Sequence, residues 1–198
     1  MITRPEFELI SRWIPSGSRV LDLGCGDGAL LQLLATRGVT GTGVDVDPVQ
    51  VKAAIRAGVD IIELDLDRQL NEFGDDTYDF VILSRTLQTV RKPRAVLAEM
   101  GRIAVHSVVS MPNFAHWRNR LRLLRGRMPM SKDLPFEWYD TPNLHHSSLP
   151  DLEPLFASVD MRIDQRVSLD ANGNPHRIGR IAPNLRANSS LYLLHAAR

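Results

Sequence analysis

The residues best suited to chemistry lie in Val20-Leu21-Asp22-Leu23-Gly24-Cys25-Gly26-Asp27-Gly28. An apolar run carrying the acid Asp22 passes into three glycines, Gly24, Gly26 and Gly28, spaced two apart. Glycine is needed where a backbone turns sharply or lets a ligand approach closely, because no Cβ intrudes and positive φ is allowed. Leu30, Leu31, Leu33 and Leu34 follow at helical spacing, so the stretch reads as strand, turn and helix, with free N–H groups at the helix start. Asp45 stands 21 residues beyond Gly24 at the end of a second strand-like run. A carboxylate there can accept hydrogen bonds from both hydroxyls of a ribose. Gly24, Gly26 and Ala29 also satisfy the dinucleotide fingerprint G-x-G-x-x-G/A, so a nicotinamide-binding module and a simple strand-to-helix turn are competing readings. Against NAD stand the acid inside the strand end, the third glycine, and a chain too short to add a substrate domain of the usual size. Cys25 is the single cysteine, which excludes an internal disulfide and a multi-cysteine zinc site. Its small size suits a packed loop position, with a reactive thiol as the alternative.

These residues need strands and helices in alternation to hold them. A helix over 6–14 places Phe7, Ile10 and Ile14 on one side, and Pro15-Ser16-Gly17-Ser18 turns into a strand at 19–23. The helix after the glycines runs to about Arg37, with Gly38 as its stop. A strand at 40–45 leads to Asp47 as N-cap and Pro48 at the first helical position, and Gly58 closes that helix. Further strands are expected at 59–64 and 78–84, then a helix over 93–103 and a strand at 105–110. Tyr78-Asp79-Phe80-Val81-Ile82-Leu83-Ser84 is apolar enough for burial on both faces of a parallel sheet, and Ser84, Thr86 and Gln88 emerge at its carboxyl end, where ligands sit in open α/β sheets. This alternation predicts an α/β fold with a doubly wound, mostly parallel sheet. A short helix capped by Ser148 and two strands, at 160–169 and 190–196, complete the chain around a polar loop.

Residues 112–147 depart from that minimal plan and are expected as an inserted helix and lid-like segment within a single domain. Trp117, Leu121 and Leu124 share one helix face while Arg118, Arg122 and Arg125 share another, with Gly126 as the stop. The basic face reads as a solvated surface or as a dock for an acidic partner or anionic ligand. Nucleic acid is disfavoured because acids elsewhere bring the net charge to +1. The irregular stretch 128–147 is long enough to cover a pocket or form a contact surface. His145 and His146 are adjacent and so point different ways, which argues against a metal pair. With 198 residues, 43% of them hydrophobic, the chain can bury a substantial core. No apolar run approaches the ~20 residues of a membrane span. The start Met1-Ile2-Thr3-Arg4-Pro5-Glu6 lacks a signal-peptide core, so a reducing, cytoplasmic location is expected.

The string D-x-G-x-G-x-G resembles motif I of the class I S-adenosylmethionine (SAM)-dependent methyltransferases. That resemblance implies a seven-stranded Rossmann-like sheet ending in an antiparallel hairpin. It also implies SAM or S-adenosylhomocysteine held by Asp22, Gly24, Cys25, Gly26 and Gly28, with Asp45 and Val46 at the ribose. Asp65, past the third strand, would meet the adenine amino group, Leu66 would pack on the ring, and Ser84 would join the set. Ser84-Arg85-Thr86-Leu87 replaces the Asn/Asp-Pro-Pro-aromatic string of enzymes that methylate amide or exocyclic nitrogens, which counts against a DNA-adenine or glutamine methyltransferase.

Over nearly its whole length the chain resembles the methionine biosynthesis protein MetW family. Besides the glycine loop and the run 78–84 with Thr86-Leu87-Gln88, the resemblance is carried by Pro112-Asn113-Phe114 with His116-Trp117-Arg118, by Gly126-Arg127-Met128-Pro129 and by Trp138-Tyr139-Asp140-Thr141-Pro142-Asn143. It implies a methyltransferase-fold protein that acts with homoserine O-acyltransferase and supports its activity; the coexistence of a SAM-type loop with no evident catalytic group leads to the expectation that SAM serves as a regulatory ligand. The alternative is methyl transfer to a small molecule. No catalytic residue is assigned: His116, His145 and His146 are candidate bases, but none lies in a recognisable catalytic string.

Overall fold

A computed structural model describes residues 4–130, 137–175 and 181–197. Its strands are β1 (Arg19–Leu23), β2 (Thr40–Asp45), β3 (Asp60–Glu63), β4 (Phe80–Ser84), β5 (His106–Pro112), β6 (Met161–Leu169) and β7 (Ser189–Ala196). They form one sheet in the order β3-β2-β1-β4-β5-β7-β6. The first five strands pair in parallel, and β7 runs antiparallel to both β5 and β6. The doubly wound, mostly parallel seven-stranded sheet with its C-terminal antiparallel hairpin is therefore present.

Alternation along the strands builds two cores. On one face Leu21, Leu23, Val81, Leu83 and Val109 pack against the helices α4 (Pro93–Ile103) and α6 (Leu149–Ala157). On the other, Val20, Phe80, Ile82 and Val108 pack against α1 (Pro5–Trp13) and α2 (Ala29–Ala35). Central strands buried on both sides must be apolar throughout, and each fully buried Leu or Ile contributes about 1.5–3 kcal/mol. Helix α3 (Pro48–Arg56) starts where expected, since the Asp47 carboxylate accepts from the Val49 N–H at 2.8 Å. It is tied to α2 through Gln32 Nε2, which donates to the Ala57 carbonyl. At α6 the Ser148 N–H donates to the Asp151 carboxylate, completing a capping box.

Several boundaries differ from expectation. Helix α2 ends at Ala35 rather than Arg37, because the last turn closes through Gly38, at φ +76°, with the Val39 N–H donating back to the Leu34 carbonyl. Strand β5 continues to Pro112, two residues beyond 110, since antiparallel pairing with β7 extends as far as Pro112 opposite Ser189. Edge strand β3 covers only Asp60–Glu63. The inserted helix α5 spans Trp117–Leu124, shorter than 114–127. Asn113 accepts from the Ala115 N–H and makes a turn first, and the His116 ring nitrogen then accepts from the Arg118 N–H as N-cap. The polar loop after β6 contains a further short helix, α7 (Pro183–Arg186). Part of the lid-like segment, 131–136, and part of the polar loop, 176–180, lie outside the described residues.

Candidate functional site

The glycine turn sits at the carboxyl end of β1, between β2 and β4, where the parallel strands open. All three of its glycines have positive φ, +73° at Gly24, +58° at Gly26 and +77° at Gly28. Two of them are also needed for space. A Cβ on Gly24 would collide with Thr86 Oγ1, and one on Gly28 would meet Val59 at 2.7 Å. At Gly26 a Cβ would meet only Gln50 Oε1, at an ordinary contact distance of 3.7 Å, so this glycine is required by its φ and not by space. The Gly24 and Cys25 N–H groups donate to the Val44 carbonyl, which pins the turn to β2.

Asp45 ends β2 and faces this turn. One carboxylate oxygen accepts from the Gly26 N–H at 2.8 Å and the other from the Asp47 N–H at 3.0 Å. The carboxylate is thus oriented by backbone bonds while remaining half-exposed, with lone pairs left for ribose hydroxyls. Val46, beside it, is exposed.

Asp22 is the most unusual group here. It shares the α1 side of the sheet with Val20, is 2% exposed, and its Oδ1 has no hydrogen-bond partner. Burial pushes its carboxyl up to about 7, with Asp45 adding in the same direction and Arg4 opposing. A buried carboxylate without a donor is costly unless something cationic or proton-bearing completes it.

Cys25 is buried, and burial pushes its thiol up to about 12. Its sulfur fills the space a side chain on Gly43 would need. The packing role expected for it is what the structure has, and a protonated thiol at neutral pH is a poor nucleophile.

The acids crowded after β3 separate by their partners. Asp67 accepts from the Arg91 and Lys92 N–H groups, Asp79 pairs with Arg19, Asp75 with Arg102, and Glu72 accepts from Gln69. Asp65 accepts from the Asp67 N–H and lies 3.5 Å from Arg68 in an exposed contact that holds it weakly. It is half-exposed beyond the end of β3, and Leu66 beside it packs partly into the core.

Ser84 lies further along, on the α1 side of β4. Its hydroxyl lies 3.3 Å from Ser110 Oγ and 3.5 Å from Glu6 Oε1. Glu6 was not expected from the sequence. It is 1% exposed, lies 3.1 Å from Arg85 Nε and 3.2 Å from Arg4 NH1, and brings the first turn of α1 over the end of β4. Arg85 itself has φ +54°, an uncommon conformation for a residue with a side chain. The available signal was helical spacing, which sets Glu6 one turn before Ile10 on the buried stripe. Asp22, the glycine turn, Asp45, Val46 and Asp65 thus lie along the carboxyl ends of β1, β2 and β3, while Ser84 belongs to the Glu6–Arg85 cluster beside them.

Of the candidate bases, His116 is spent as the α5 N-cap. His146 stacks on Phe114 at 4.6 Å, and burial lowers its pKa. His145 is held through its N–H to the Gln88 carbonyl. Among the described residues no group of three or more His, Cys, Asp or Glu could hold a metal, and no helix is long and apolar enough to cross a membrane.

Solved structures with a similar fold include SAM-dependent methyltransferases. The S-adenosylmethionine dependent methyltransferase from Mesorhizobium loti superposes with a TM-score of 0.72 at 18% identity, over 96% of this chain and 97% of that one. The magnesium protoporphyrin IX methyltransferase from Synechocystis, solved with bound SAH, gives a TM-score of 0.70 at 16% identity, over 96% and 81% of the two chains. At such identities the likeness is one of fold. In sequence, the chain is 35% identical to the bifunctional methionine biosynthesis protein MetXA/MetW of Rhodopirellula baltica over 95% of its own length, and spans 32% of the length of that relative. Residues 4–194 match the family described as methionine biosynthesis protein MetW, and it is to this family that the chain belongs.

Proposed function

We propose that the chain binds SAM, or its product S-adenosylhomocysteine, at the carboxyl ends of β1, β2 and β3, and acts in methionine biosynthesis with homoserine O-acyltransferase. The observation that carries the ligand is Asp22 Oδ1, buried and unpartnered beside the positive-φ glycine turn. An α-ammonium group supplies the missing donor. Asp45 takes the ribose hydroxyls with Val46 beside it, Asp65 the adenine amino group, and Leu66 the face of the ring; Cys25 shapes the turn from beneath. SAM would supply an activated methyl group or a regulatory signal, and the residues named here bind and orient it. Support for the partner comes from the Rhodopirellula relative, whose name joins MetXA and MetW in one polypeptide.

Calorimetry with SAM, S-adenosylhomocysteine and NAD tests the ligand. SAM is expected to bind, with Asp45→Ala weakening it at least tenfold, the scale of one or two charge-assisted hydrogen bonds. Binding of NAD instead, or an unchanged affinity in Asp45→Ala, overturns the assignment. Assay of the acyltransferase with and without this chain tests the partnership. Conversion of SAM to S-adenosylhomocysteine when a small molecule is added would favour the methyltransferase reading.

A further inference from the structure

Helix α5 is held to the protein by its polar side. On the helix Asn119 is 2% exposed and its Nδ2 donates to the Phe114 carbonyl; in the turn before it Asn113, also 2% exposed, reaches the Asn184 and Ala187 carbonyls. The apolar stripe faces outward, with Trp117 45%, Leu121 38% and Leu124 85% exposed. A solvated helix normally shows the reverse arrangement. Beside that stripe run Arg118, Arg122 and Arg125, none of which has an ion-pair partner among the described residues. Arg118 stacks on Trp117 with its guanidinium 5.3 Å from the ring centroid. Residues 114–130 carry five arginines and no acid, in a chain whose net charge is only +1. Trp138 and Tyr139, exposed in the same inserted segment, add aromatic surface. Exposed Trp, Tyr and Leu beside unpaired Arg is the composition of a protein–protein hot spot.

The geometry points to the outward face of α5 as the surface on which this chain seats its acyltransferase partner, through an apolar patch on that enzyme rimmed by carboxylates. The inference rests on the partnership proposed above. Charge complementarity selects an acidic occupant, because a desolvated interface must supply carboxylates to Arg118, Arg122 and Arg125. The fused relative aligns with 95% of this chain, so one polypeptide there holds both units within tether reach. A lipid surface is the weaker occupant, since α5 has only two turns and its apolar stripe carries three residues.

Three full-length proteins test this against the purified acyltransferase of the same organism: wild type, Leu121→Glu/Leu124→Glu and Arg118→Glu/Arg122→Glu. Val105→Glu, a change to an exposed apolar residue elsewhere, serves as control. Each is first checked for an unchanged melting temperature and unchanged SAM affinity. Both α5 variants should bind the acyltransferase at least about thirtyfold more weakly, with the control unaffected and wild-type affinity falling as salt rises. Binding by wild type that survives both double substitutions overturns the docking face and leaves the partnership standing. No binding by wild type, with or without SAM, overturns the partnership and this inference with it. Retention of wild type on vesicles containing 30% phosphatidylserine, lost in the α5 variants while acyltransferase binding is kept, would assign the face to a membrane.

Discussion

The carboxyl ends of β1–β3 and the inserted segment around α5 handle charge in opposite ways. At the first, acids are held by backbone N–H groups: Asp45 takes two, and Asp67 takes those at the start of α4. The exception, Asp22, is deeply buried. At the second, Arg118 and Arg125 stand exposed, and Arg122, partly exposed, gives its Nε–H only to the Met128 carbonyl, beside bare aromatic and leucine side chains. A small-molecule site is preorganised by spending its polar groups internally and keeping one or two in reserve. A docking face keeps its groups uncommitted until a partner arrives. Substitutions in the two regions should therefore differ in what they damage.

The largest effect is expected at Gly24. Gly24→Val drives a side chain into Thr86 at a backbone conformation that β-branched residues avoid, so stability should fall by about 3 kcal/mol or more and SAM binding should vanish. A thermal melt close to wild type would show that the turn is less constrained than its geometry. Next comes Glu6→Ala. It strips the buried partner from Arg85, which is 27% exposed and so keeps some contact with water; a loss of about 2–3 kcal/mol in urea unfolding is expected, below that for a fully buried pair.

Asp22 offers a pH test. Its carboxyl in the folded protein titrates at about 7, against an ordinary value of 3.8, so between those values the folded state holds a proton that the unfolded state has released. Stability of the ligand-free protein should therefore decline as pH rises from about 4 to about 7 and level off above. Asp22→Asn removes that decline and should be the more stable protein at pH 8, by roughly 1–3 kcal/mol. SAM affinity should move the other way. It weakens below pH 7 in wild type, as the carboxylate that takes the ammonium is protonated, and is low at every pH in Asp22→Asn. A flat binding profile in wild type would remove Asp22 from the site.

The smallest effect marks the other side of the contrast. Leu124→Ser, at 85% exposure, should change unfolding free energy by less than about 0.5 kcal/mol. A loss of 2 kcal/mol would mean that the helix face is covered in solution.

The elements around the glycine turn were legible because the chemistry there dictates residue types at fixed spacing. Asp47-Pro48 marks a helix start, Gly38 a helix end, and the unbroken apolar run at 80–83 a central strand, and each behaves so in the fold. The Glu6–Arg85 pair was not legible, since its members lie 79 residues apart and only the packing of α1 over β4 brings them together. The orientation of α5 was equally hidden. Helical periodicity separates an apolar from a basic stripe but does not say which side faces the protein; here the buried residue of the helix is Asn119, whose Nδ2 donates to the Phe114 carbonyl. Sorting the acids after β3 also needed the structure, because only their partners distinguish Asp65 from Asp67.

The position of β7 carries a consequence for the order in which the protein forms. It lies between β5 and β6 and, among the described residues, is the one strand that pairs with β6, although it follows β6 in the chain. During synthesis the five parallel strands can assemble as they emerge, whereas β6 leaves the ribosome before β7, the strand it pairs with. Until residues 189–196 follow, β5 presents an open edge and β6 an unpaired strand, both competent to pair with another nascent chain. Slowing translation just before Ser189 should prolong that exposure, and it is then that a chaperone would matter most to the yield of this protein.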